Sequence, residues 1–480
     1  MKNTRTLRQA IGFAAIIALI GIAATSCDSP SGVGAVAGPG ETAVYHTVAG
    51  IRFRYNANLQ GYEAVGLANA NAAISVTIPS TLDGGRPVVG IANGAFQNSG
   101  ITGLTFEQGS RLESIGSTAF YRAASLTGTV EIPASVITIG DHAFRSSGIT
   151  GLAFEQGSQL ESIGSTVFYH AASLTGTVEI PASVITIGDH AFRSSGITGL
   201  AFAQNSQLEA IGDRAFLNIA SLTGPVEIPA SVVTISNAAF QNSSITGLTF
   251  AQNSQLEAIG GGAFSFTASL TGAVEIPANV MTIGSSAFWG SGITGLTFEQ
   301  GSQLEAIESN VFANTASLAG AVKIPANVMA IENRAFYNSG ITGLTFAPGS
   351  QLEAIESFAF ANTASLAAAV EIPASVVTIG WSAFRYSSIT GLAFEQGSQL
   401  EAIRSDAFRD TTSLTGTVEI PASVTTIGTE AFAASGIQAI LIPHDTLYPP
   451  GFYAGESWWP PWHGNRPVYN SLVSPPARLN

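Results

Sequence analysis

Residues 126–150 read LTGTVEIPASVITIGDHAFRSSGIT, and the same letters return unchanged at residues 174–198. Looser versions of this segment precede and follow the two copies. A catalytic centre needs one constellation of groups, so verbatim repetition favours an extended surface over an active site. The chain is therefore expected to be an array of repeats.

The spacing of the repeats is constant. A Phe that ends an "AF" pair, or an equivalent pair, occurs fifteen times from Phe96 to Phe432. Any two successive Phe residues of this series are separated by the same interval as Phe96 and Phe120. Two variants alternate, so the full unit covers two such intervals. The first variant, beginning at Ile101, is ITGLTFEQGSRLESIGSTAFYRAAS, and the second, beginning at Leu126, is LTGTVEIPASVITIGDHAFRSSG.

Each variant contains the pattern of a short strand followed by a corner. Residues 104–106 and 130–132 alternate apolar and polar side chains, which is typical of half-buried strands. Pro133 ends the second strand because it cannot donate to a ladder, and Phe144 is expected to insert between coils from a short helical or 3₁₀ turn. One coil cannot bury its own apolar face. We therefore predict a solenoid of about sixteen coils, stacked about 4.8 Å apart.

The segment VEIPASVITIGDHAF (residues 130–144) resembles the BspA-like leucine-rich repeat, which reads roughly L-x-x-I-x-I-P-x-x-V-x-x-I-G-x-x-A-F. The resemblance extends from about Val44 to Pro443. It implies a leucine-rich repeat solenoid with short parallel strands on the concave side and turns or short 3₁₀ or helical segments on the other. It also implies a bacterial cell-surface or secreted protein. Several members of the family are associated with adhesion to host matrix proteins or to other bacteria, so the resemblance implies adhesion as well.

The first residues have the pattern of an export signal. Basic residues precede an apolar stretch, residues 11–22, that is too short to span a bilayer as a helix. The segment 24–27 (ATSC) resembles a bacterial lipobox, so residues 1–27 are predicted to be a lipoprotein signal peptide ending at a lipidated Cys27. The alternative is a plain secretory signal with an incidental cysteine. Cys27 is the only cysteine, so no intrachain disulfide can form.

Three further segments follow the signal. Residues 28–43 are rich in Gly, Pro and Ser and are predicted to be a flexible tether, and residues 44–444 are predicted to be the solenoid. Residues 445–480 break the pattern and concentrate aromatic residues and prolines. They are expected to cap the last coil, to form an aromatic platform for sugar or protein, or to be a disordered tail. The candidate contacts there are Trp458, Trp459 and Trp462.

The charge balance excludes one class of partner. The chain has 32 Asp+Glu against 18 Lys+Arg, a formal charge of −14, so nucleic acid is not expected to bind. In the second variant the polar residue of the strand is expected to form an acidic column on the exposed concave face. Its members are Glu131, Glu179, Glu227, Glu275, Glu371 and Glu419, interrupted by Lys323. The column either binds a basic partner or cations, or only keeps the strand soluble and blocks edge pairing.

Two tryptophans and two Asp-His pairs are further candidate surface residues. Trp289 directly follows an "AF" pair, and Trp381 lies just before one, at a position where many coils have Ser or Asn; both are candidate exposed aromatic contacts. Asp141-His142 and its copy Asp189-His190 have no Cys or further His at metal-ligand spacing, so they are expected to be variable surface residues. No metal, cofactor or catalytic residue is predicted.

The predicted function is non-enzymatic. We expect an exported lipoprotein, anchored to a membrane through its N-terminal lipid at the cell surface or outer membrane. It would bind protein or glycan ligands on host or bacterial surfaces through its extended face. The alternative is a structural envelope protein whose repeats bind one another.

Overall fold

The computed structural model describes residues 45–442 together with the backbone of residues 468–470. The described residues all fall within one compact unit, Tyr45–Asn480. The predictions about the signal peptide, Cys27, the tether and the three tail tryptophans lie outside the described residues, as does the 445–480 segment apart from the backbone of a short strand, Val468–Asn470.

Three antiparallel strands begin the described chain. Their bounds are Tyr45–Val48, Ile51–Asn56 and Gly61–Leu67. The first turn uses Ala49 and Gly50 in the left-handed region, with φ of 49° and 81°, as tight hairpins require. The third strand then pairs in parallel with the strand Arg86–Ile91, from which the repeat ladder continues. These strands therefore cover the first edge of the ladder, a feature that the repeat pattern did not predict.

A short insertion separates this cap from the regular coils. The strand Thr81–Leu82 pairs antiparallel with Arg86–Ile91, and the 3₁₀ segment Asp83–Gly85 connects them. It is the only 3₁₀ segment, and no α-helix occurs, between residues 45 and 442.

Each regular coil contributes one two-residue strand to a parallel ladder. The strands recur at the same interval as the Phe positions. Successive strands pair Ile with Ile, as Ile115 does with Ile139, except between Thr282–Ile283 and Ala306–Ile307, where the ladder is interrupted. Their bounds are Ser114–Ile115, Thr138–Ile139, Ser162–Ile163, Thr186–Ile187, Ala210–Ile211, Thr234–Ile235, Ala258–Ile259, Thr282–Ile283, Ala306–Ile307, Ala330–Ile331, Ala354–Ile355, Thr378–Ile379, Ala402–Ile403 and Thr426–Ile427.

A second segment of each coil forms a longer strand, sixteen in all within residues 45–442. These strands pair in parallel in twos, a second-variant strand with the first-variant strand that follows it, as Thr129–Ile132 does with Gly151–Phe154. Their bounds are Ser75–Ile78, Gly103–Phe106, Thr129–Ile132, Gly151–Phe154, Thr177–Ile180, Gly199–Phe202, Pro225–Ile228, Gly247–Phe250, Ala273–Ile276, Gly295–Phe298, Ala321–Ile324, Gly343–Phe346, Ala369–Ile372, Gly391–Phe394, Thr417–Glu419 and Ala439–Ile442. The last of them also pairs with Val468–Asn470.

Corner lengths explain why the longer strands pair only in twos. The interval from the strand that begins at Thr129 to the one that begins at Gly151 is shorter than the next interval, from Gly151 to Thr177. The longer interval has a longer corner between its two strands, residues 155–161 against residues 133–137, and a longer segment after the Phe, residues 169–176 against residues 145–150. The repeat pattern predicts uniform stacking of all strands. Uniform stacking instead occurs at the two-residue strands and at the Phe positions, while the longer strands form a row of separate pairs.

The fifteen Phe residues form a continuous column inside the solenoid. Successive rings from Phe96 to Phe432 stack with centroids 4.8–5.6 Å apart and planes within 6–22° of each other. All are fully buried among columns of Leu, Val and Ile. Burying one such side chain contributes about 1.5–3 kcal/mol. The predicted solenoid of about sixteen coils, stabilised by contacts between coils, is confirmed.

The Phe lies in a turn, as the family resemblance allowed, and not on the short helical or 3₁₀ turn that was expected for Phe144, because residues on both sides of it have a positive φ. The residues two before and two after each Phe have positive φ, for example Thr118 at 56° and Arg122 at 54°. This geometry directs alternate N–H groups to the next coil, so that the Phe120 amide donates to the Ala143 carbonyl at 2.7 Å. The intervening residues close turns within the coil. Most side chains at the left-handed positions are half-buried or exposed beside the buried column, although Ala238 and Ser382 are buried.

Candidate functional site

The residues of the predicted acidic column are exposed on their strands. Each Glu stands between two buried apolar residues on a second-variant strand and is exposed, as the burial of Val130 and Ile132 around Glu131 illustrates. Lys323 occupies the same exposed position in its own strand. The register pairs each member with a small or apolar residue of the adjoining strand, as Glu131 with Ala153, so no second carboxylate adjoins it in the ladder.

The two tryptophans of the array each pack on a phenylalanine of the preceding coil. Trp381 is 46% exposed, contacts Phe358 with ring centroids 4.7 Å apart, and donates from Nε1 to Asp406 Oδ2 at 3.0 Å. Trp289 is half-buried and lies 4.7 Å from Phe266, which is itself 47% exposed. The two predicted aromatic contacts are therefore parts of two aromatic pairs whose Phe members the sequence analysis missed.

A column that the sequence analysis missed lies directly after the buried Phe. In four successive coils this position holds Tyr121, Arg145, Tyr169 and Arg193. The Arg145 guanidinium carbon lies 5.7 Å from the Tyr121 ring centroid and 4.9 Å from that of Tyr169, and Arg193 lies 5.3 Å from Tyr169. We call these four residues the arginine–tyrosine column. Comparing one position across all coils would have revealed it.

The arginine–tyrosine column carries positive charge without a carboxylate partner. Arg122 lies beside it, 5.0 Å from the Tyr121 ring, and is exposed. Within the described residues, no Asp or Glu lies within 4 Å of Arg122, Arg145 or Arg193. Cation–π contacts hold a guanidinium in place but leave its charge unneutralised.

An aspartate column lies on the other side of the buried Phe, three residues before it. Asp141 Oδ1 accepts from the Ser165 amide at 2.7 Å, and Asp189 Oδ1 accepts from the Asp213 amide at 2.8 Å. These carboxylates therefore bond the backbone of the following coil. They contribute to the stacking rather than to ion pairs with the arginines.

The histidines between these two columns have lowered pKa values. The pKa of His142 is lowered by burial and by the Arg145 charge, although Asp141 raises it. The pKa of His190 is lowered by burial and by the nearby arginines, chiefly Arg193. His142 Nδ1 also forms a hydrogen bond with the Thr166 hydroxyl of the next coil. Both imidazoles are therefore expected to be neutral at pH 7.

The same positions near the C-terminal end of the array hold a neutralised cluster. Arg409 pairs with Asp406 Oδ1 at 3.1 Å and with Asp410 Oδ2 at 3.4 Å, and it also contacts Glu430. Arg385 lies 3.6 Å from Asp410 Oδ2. The hydrogen bond to Asp406 is the main cause of the raised pKa of Arg409. These five residues form an ion-pair network with little free charge.

Some glutamates of the first variant have a structural role that the sequence analysis did not assign. Glu155 Oε2 accepts from the Ala134 amide at 3.0 Å, next to the proline corner of the preceding coil. Glu107 accepts from the Ser80 amide at 2.7 Å and from its hydroxyl, which lowers the pKa of Glu107. These side chains brace the corner of one coil against the next.

The repeats match the model of the BspA type leucine-rich repeat region over residues 89–223, 202–319, 234–349 and 329–448, well over half of the chain. The chain belongs to the BspA-like leucine-rich repeat family. No curated protein matches this BspA-like chain significantly.

Solved structures agree with the BspA-like fold. A leucine-rich repeat protein from Bacteroides ovatus is 20% identical, with a TM-score of 0.58, over 83% of this chain and 94% of that chain. A leucine rich cell surface protein from Faecalibacterium prausnitzii is 22% identical, with a TM-score of 0.38, over 74% and 96%. The pneumococcal vaccine antigen PcpA is 16% identical, with a TM-score of 0.41, over 85% and 95%. The first similarity establishes a common fold, and the other two are too low to compare sites.

The described part of the BspA-like array lacks two further kinds of feature, namely clusters of metal-ligating side chains and membrane-spanning helices. The residues with assigned positions include no group of three or more His, Cys, Asp or Glu side chains that could hold a metal ion. Across the same part of the chain, no helix has the length and hydropathy of a membrane span.

Proposed function

We propose that this protein is exported to the cell surface and binds macromolecules there, proteins or glycans of host or bacterial surfaces, through the exposed columns of its solenoid. The observation that carries the proposal is the division of each coil into constant buried positions and variable outer ones. Leucine-rich repeat solenoids are typically non-enzymatic scaffolds, and we propose that this one is not an enzyme.

The position after each Phe illustrates that division. The Phe itself is the same and fully buried in all fifteen coils. The next residue varies: it is half-buried where it is Tyr121, Arg145, Gln241 or Trp289, and buried where it is a residue such as Leu217 or Ala313. Variation at a fixed place on a rigid scaffold changes the surface without changing the core. Such a surface can acquire new contacts coil by coil.

The acidic column is a candidate contact for a basic partner. Its members recur every two coils, about 10 Å apart, so their mutual repulsion is weak at physiological salt, where the Debye length is about 8 Å. Their exposure leaves them free to contact a ligand. A basic protein surface that lies along several coils would meet several of these carboxylates at once.

Charge reversal at two neighbouring members tests this contact. Glu179→Lys with Glu227→Lys is expected to weaken binding to basic matrix proteins in solid-phase assays, with the loss largest at low salt. The matched control is Glu161→Lys with Glu209→Lys, two exposed glutamates that follow the corner of the first variant. Equal losses in both pairs would show that only net charge matters. Unchanged affinity in the first pair would leave the column a role in solubility alone.

Self-association is the second candidate. The acidic column and the pair Arg145 and Arg193 both recur every two coils, on different segments of the coil. Two copies lying side by side could therefore match opposite charges over several coils. Concentration-dependent light scattering separates the two functions. Scattering that rises with protein concentration, without binding to matrix proteins, would favour self-association and count against adhesion.

The membrane anchor is a separate part of the proposal and rests on the sequence around Cys27. Cys27→Ser is expected to move the protein from the membrane fraction to the soluble exported fraction. The control is Ser26→Ala beside it, which should leave the distribution unchanged. Retention of the Cys27→Ser protein in membranes would contradict lipidation at this residue.

A further inference from the structure

We propose that the arginine–tyrosine column binds an acidic polysaccharide in which negatively charged and neutral sugar units alternate. This inference rests on the proposed function and names one ligand class for it. It concerns the outer face of the coils of Phe120, Phe144, Phe168 and Phe192, not the strand face that carries the acidic column.

The first argument is the charge of this face. The positions one and two residues after the Phe in these four coils hold Tyr121, Arg122, Arg145, Ser146, Tyr169, His170, Arg193 and Ser194, and none is acidic. The nearest column of acids, represented by Asp141 and Asp189, is hydrogen-bonded to backbone amides of the next coil. In a chain of net charge −14, this is a local cationic surface.

The second argument is that the arginines are held in place. Arg145 lies between the Tyr121 and Tyr169 rings, and Arg193 lies on the Tyr169 ring with Nη1 3.3 Å from His190 Nδ1. All four members of the column are half-buried. Their side chains are therefore partly ordered before a ligand arrives, which reduces the entropy lost on binding. A guanidinium also forms paired hydrogen bonds to carboxylate and sulfate-like oxygens.

The third argument is the spacing. Arg145 and Arg193 lie two coils apart, about 10 Å, and Tyr169 belongs to the coil between them. The column thus alternates a cation with a neutral hydrogen-bonding group. An extended sugar chain with an acid group on every second ring offers the complementary order: anion, neutral hydroxyls, anion. Acids on one face of a β-strand recur about every 7 Å and do not match this interval.

The extent of the column sets the length of ligand. In the preceding coil the position holds Gln97, and in the following coil it holds the buried Leu217. From Tyr121 to Arg193 the column spans three coil intervals, about 15 Å. Affinity is therefore expected to rise with chain length up to roughly four sugar rings per site and to change little beyond that.

Hyaluronan-derived oligosaccharides of two to eight rings, in which an anionic uronic acid alternates with a neutral N-acetyl sugar, are the probe for the full-length chain in detergent, with neutral dextran oligosaccharides as the ligand control. Calorimetry is expected to detect hyaluronan binding that weakens with salt. Arg145→Gln with Arg193→Gln should reduce affinity at least tenfold. The matched variant is Arg385→Gln with Arg409→Gln, at the same position of other coils, and it should change affinity less than twofold. Circular dichroism checks that each variant is folded.

Several results would overturn the inference. Equal losses in the two arginine pairs would mean that hyaluronan senses only net charge. Tighter binding of poly-glutamate than of hyaluronan would assign the column to an acidic protein. Loss of self-association in the Arg145/Arg193 variant, with hyaluronan binding unchanged, would assign it to a second copy of the chain.

Measuring both ligands on the same wild-type protein distinguishes failure of the polysaccharide site from failure of the proposed adhesion function. A wild-type protein that binds matrix proteins but not hyaluronan refutes the polysaccharide site and leaves adhesion standing. A wild-type protein that binds neither refutes both. Tyr169→Phe sharpens a positive result, because it keeps the ring under both arginines and removes the hydroxyl. A loss of about two- to threefold is expected, and an unchanged affinity would show that the neutral group plays no part.

Discussion

The coils around Arg145 and Arg193 and those around Arg385 and Arg409 differ in surface charge but not in core. In both regions the Phe rings form one stacked, fully buried column. In the first region the arginines rest on tyrosine rings with no carboxylate within 4 Å, whereas in the second they pair with aspartates. The core and the outer surface of this solenoid can therefore change independently, so a surface difference is a guide to binding.

The largest expected effect is the loss of unfolding free energy when a core Phe is removed, and it should be the same in both regions. Phe192→Ala and Phe408→Ala each remove a fully buried ring from the column, and each is expected to cost about 3–5 kcal/mol of unfolding free energy. Urea unfolding followed by circular dichroism measures both. A difference between the two variants above about 1 kcal/mol, a typical effect of a single substitution, would show that the two cores are not equivalent.

Removing one arginine should distinguish the regions. Arg409→Gln leaves Asp406, Asp410 and Glu430 without their shared cation and is expected to cost about 1 kcal/mol, less at high salt. Arg193→Gln removes no ion pair and should cost less than about 0.5 kcal/mol. Thermal unfolding at low and high salt provides the measurement. A salt-dependent loss in Arg193→Gln would mean that this arginine has a carboxylate partner after all.

The left-handed turn positions offer a test in which two reciprocal substitutions should change the unfolding free energy in opposite directions. Thr118 has a φ of 56°, which is costly for a β-branched residue, whereas Asn310 occupies the equivalent position at 59° at lower cost. Thr118→Asn is expected to stabilise the protein by about 0.5–1 kcal/mol, and Asn310→Thr to destabilise it by a similar amount. Midpoints of urea unfolding report both changes. Shifts in the same direction would contradict a backbone origin.

The smallest effect should come from pH. Because burial and nearby arginines lower the pKa values of His142 and His190, the unfolded chain takes up protons first as the pH falls through 6.5. Their contribution to stability, present above that pH, is lost as the pH falls through the lowered pKa values. Hydrogen exchange measured on either side of pH 6.5 should show weakening confined to these coils at the lower pH. In His142→Gln with His190→Gln the dependence should disappear, and its persistence would point to other groups.

The core of the solenoid could be predicted from the sequence because its contacts recur at one interval. The buried Phe of every coil, the Ile of the two-residue strands and the exposed Glu131 follow from the constant period and the alternation of apolar and polar residues. The N-terminal strands, such as Ile51–Asn56, escaped prediction because they lie outside that period and depend on the ladder edge that they cover.

The candidate sites were harder to predict, for two physical reasons. Trp381 lies three residues before Phe384, and Phe358 lies two residues before Phe360 in the preceding coil. Their contact therefore joins two different coils, and no single repeat shows it. The arginine–tyrosine column requires comparison of one position in successive coils. Whether Arg145 is neutralised, like Arg409, depends on distances to neighbouring carboxylates that spacing alone does not determine.

The alternation of short and long intervals between the paired strands has an evolutionary consequence. Loss or gain of a single coil would keep the Phe rings stacked but would place two strands of the same variant next to each other, where the corner lengths no longer suit pairing. Loss or gain of two successive coils restores every neighbour. Natural length variants of this array should therefore differ by an even number of coils, and each such step would add or delete one member of the acidic column together with one pair of strands.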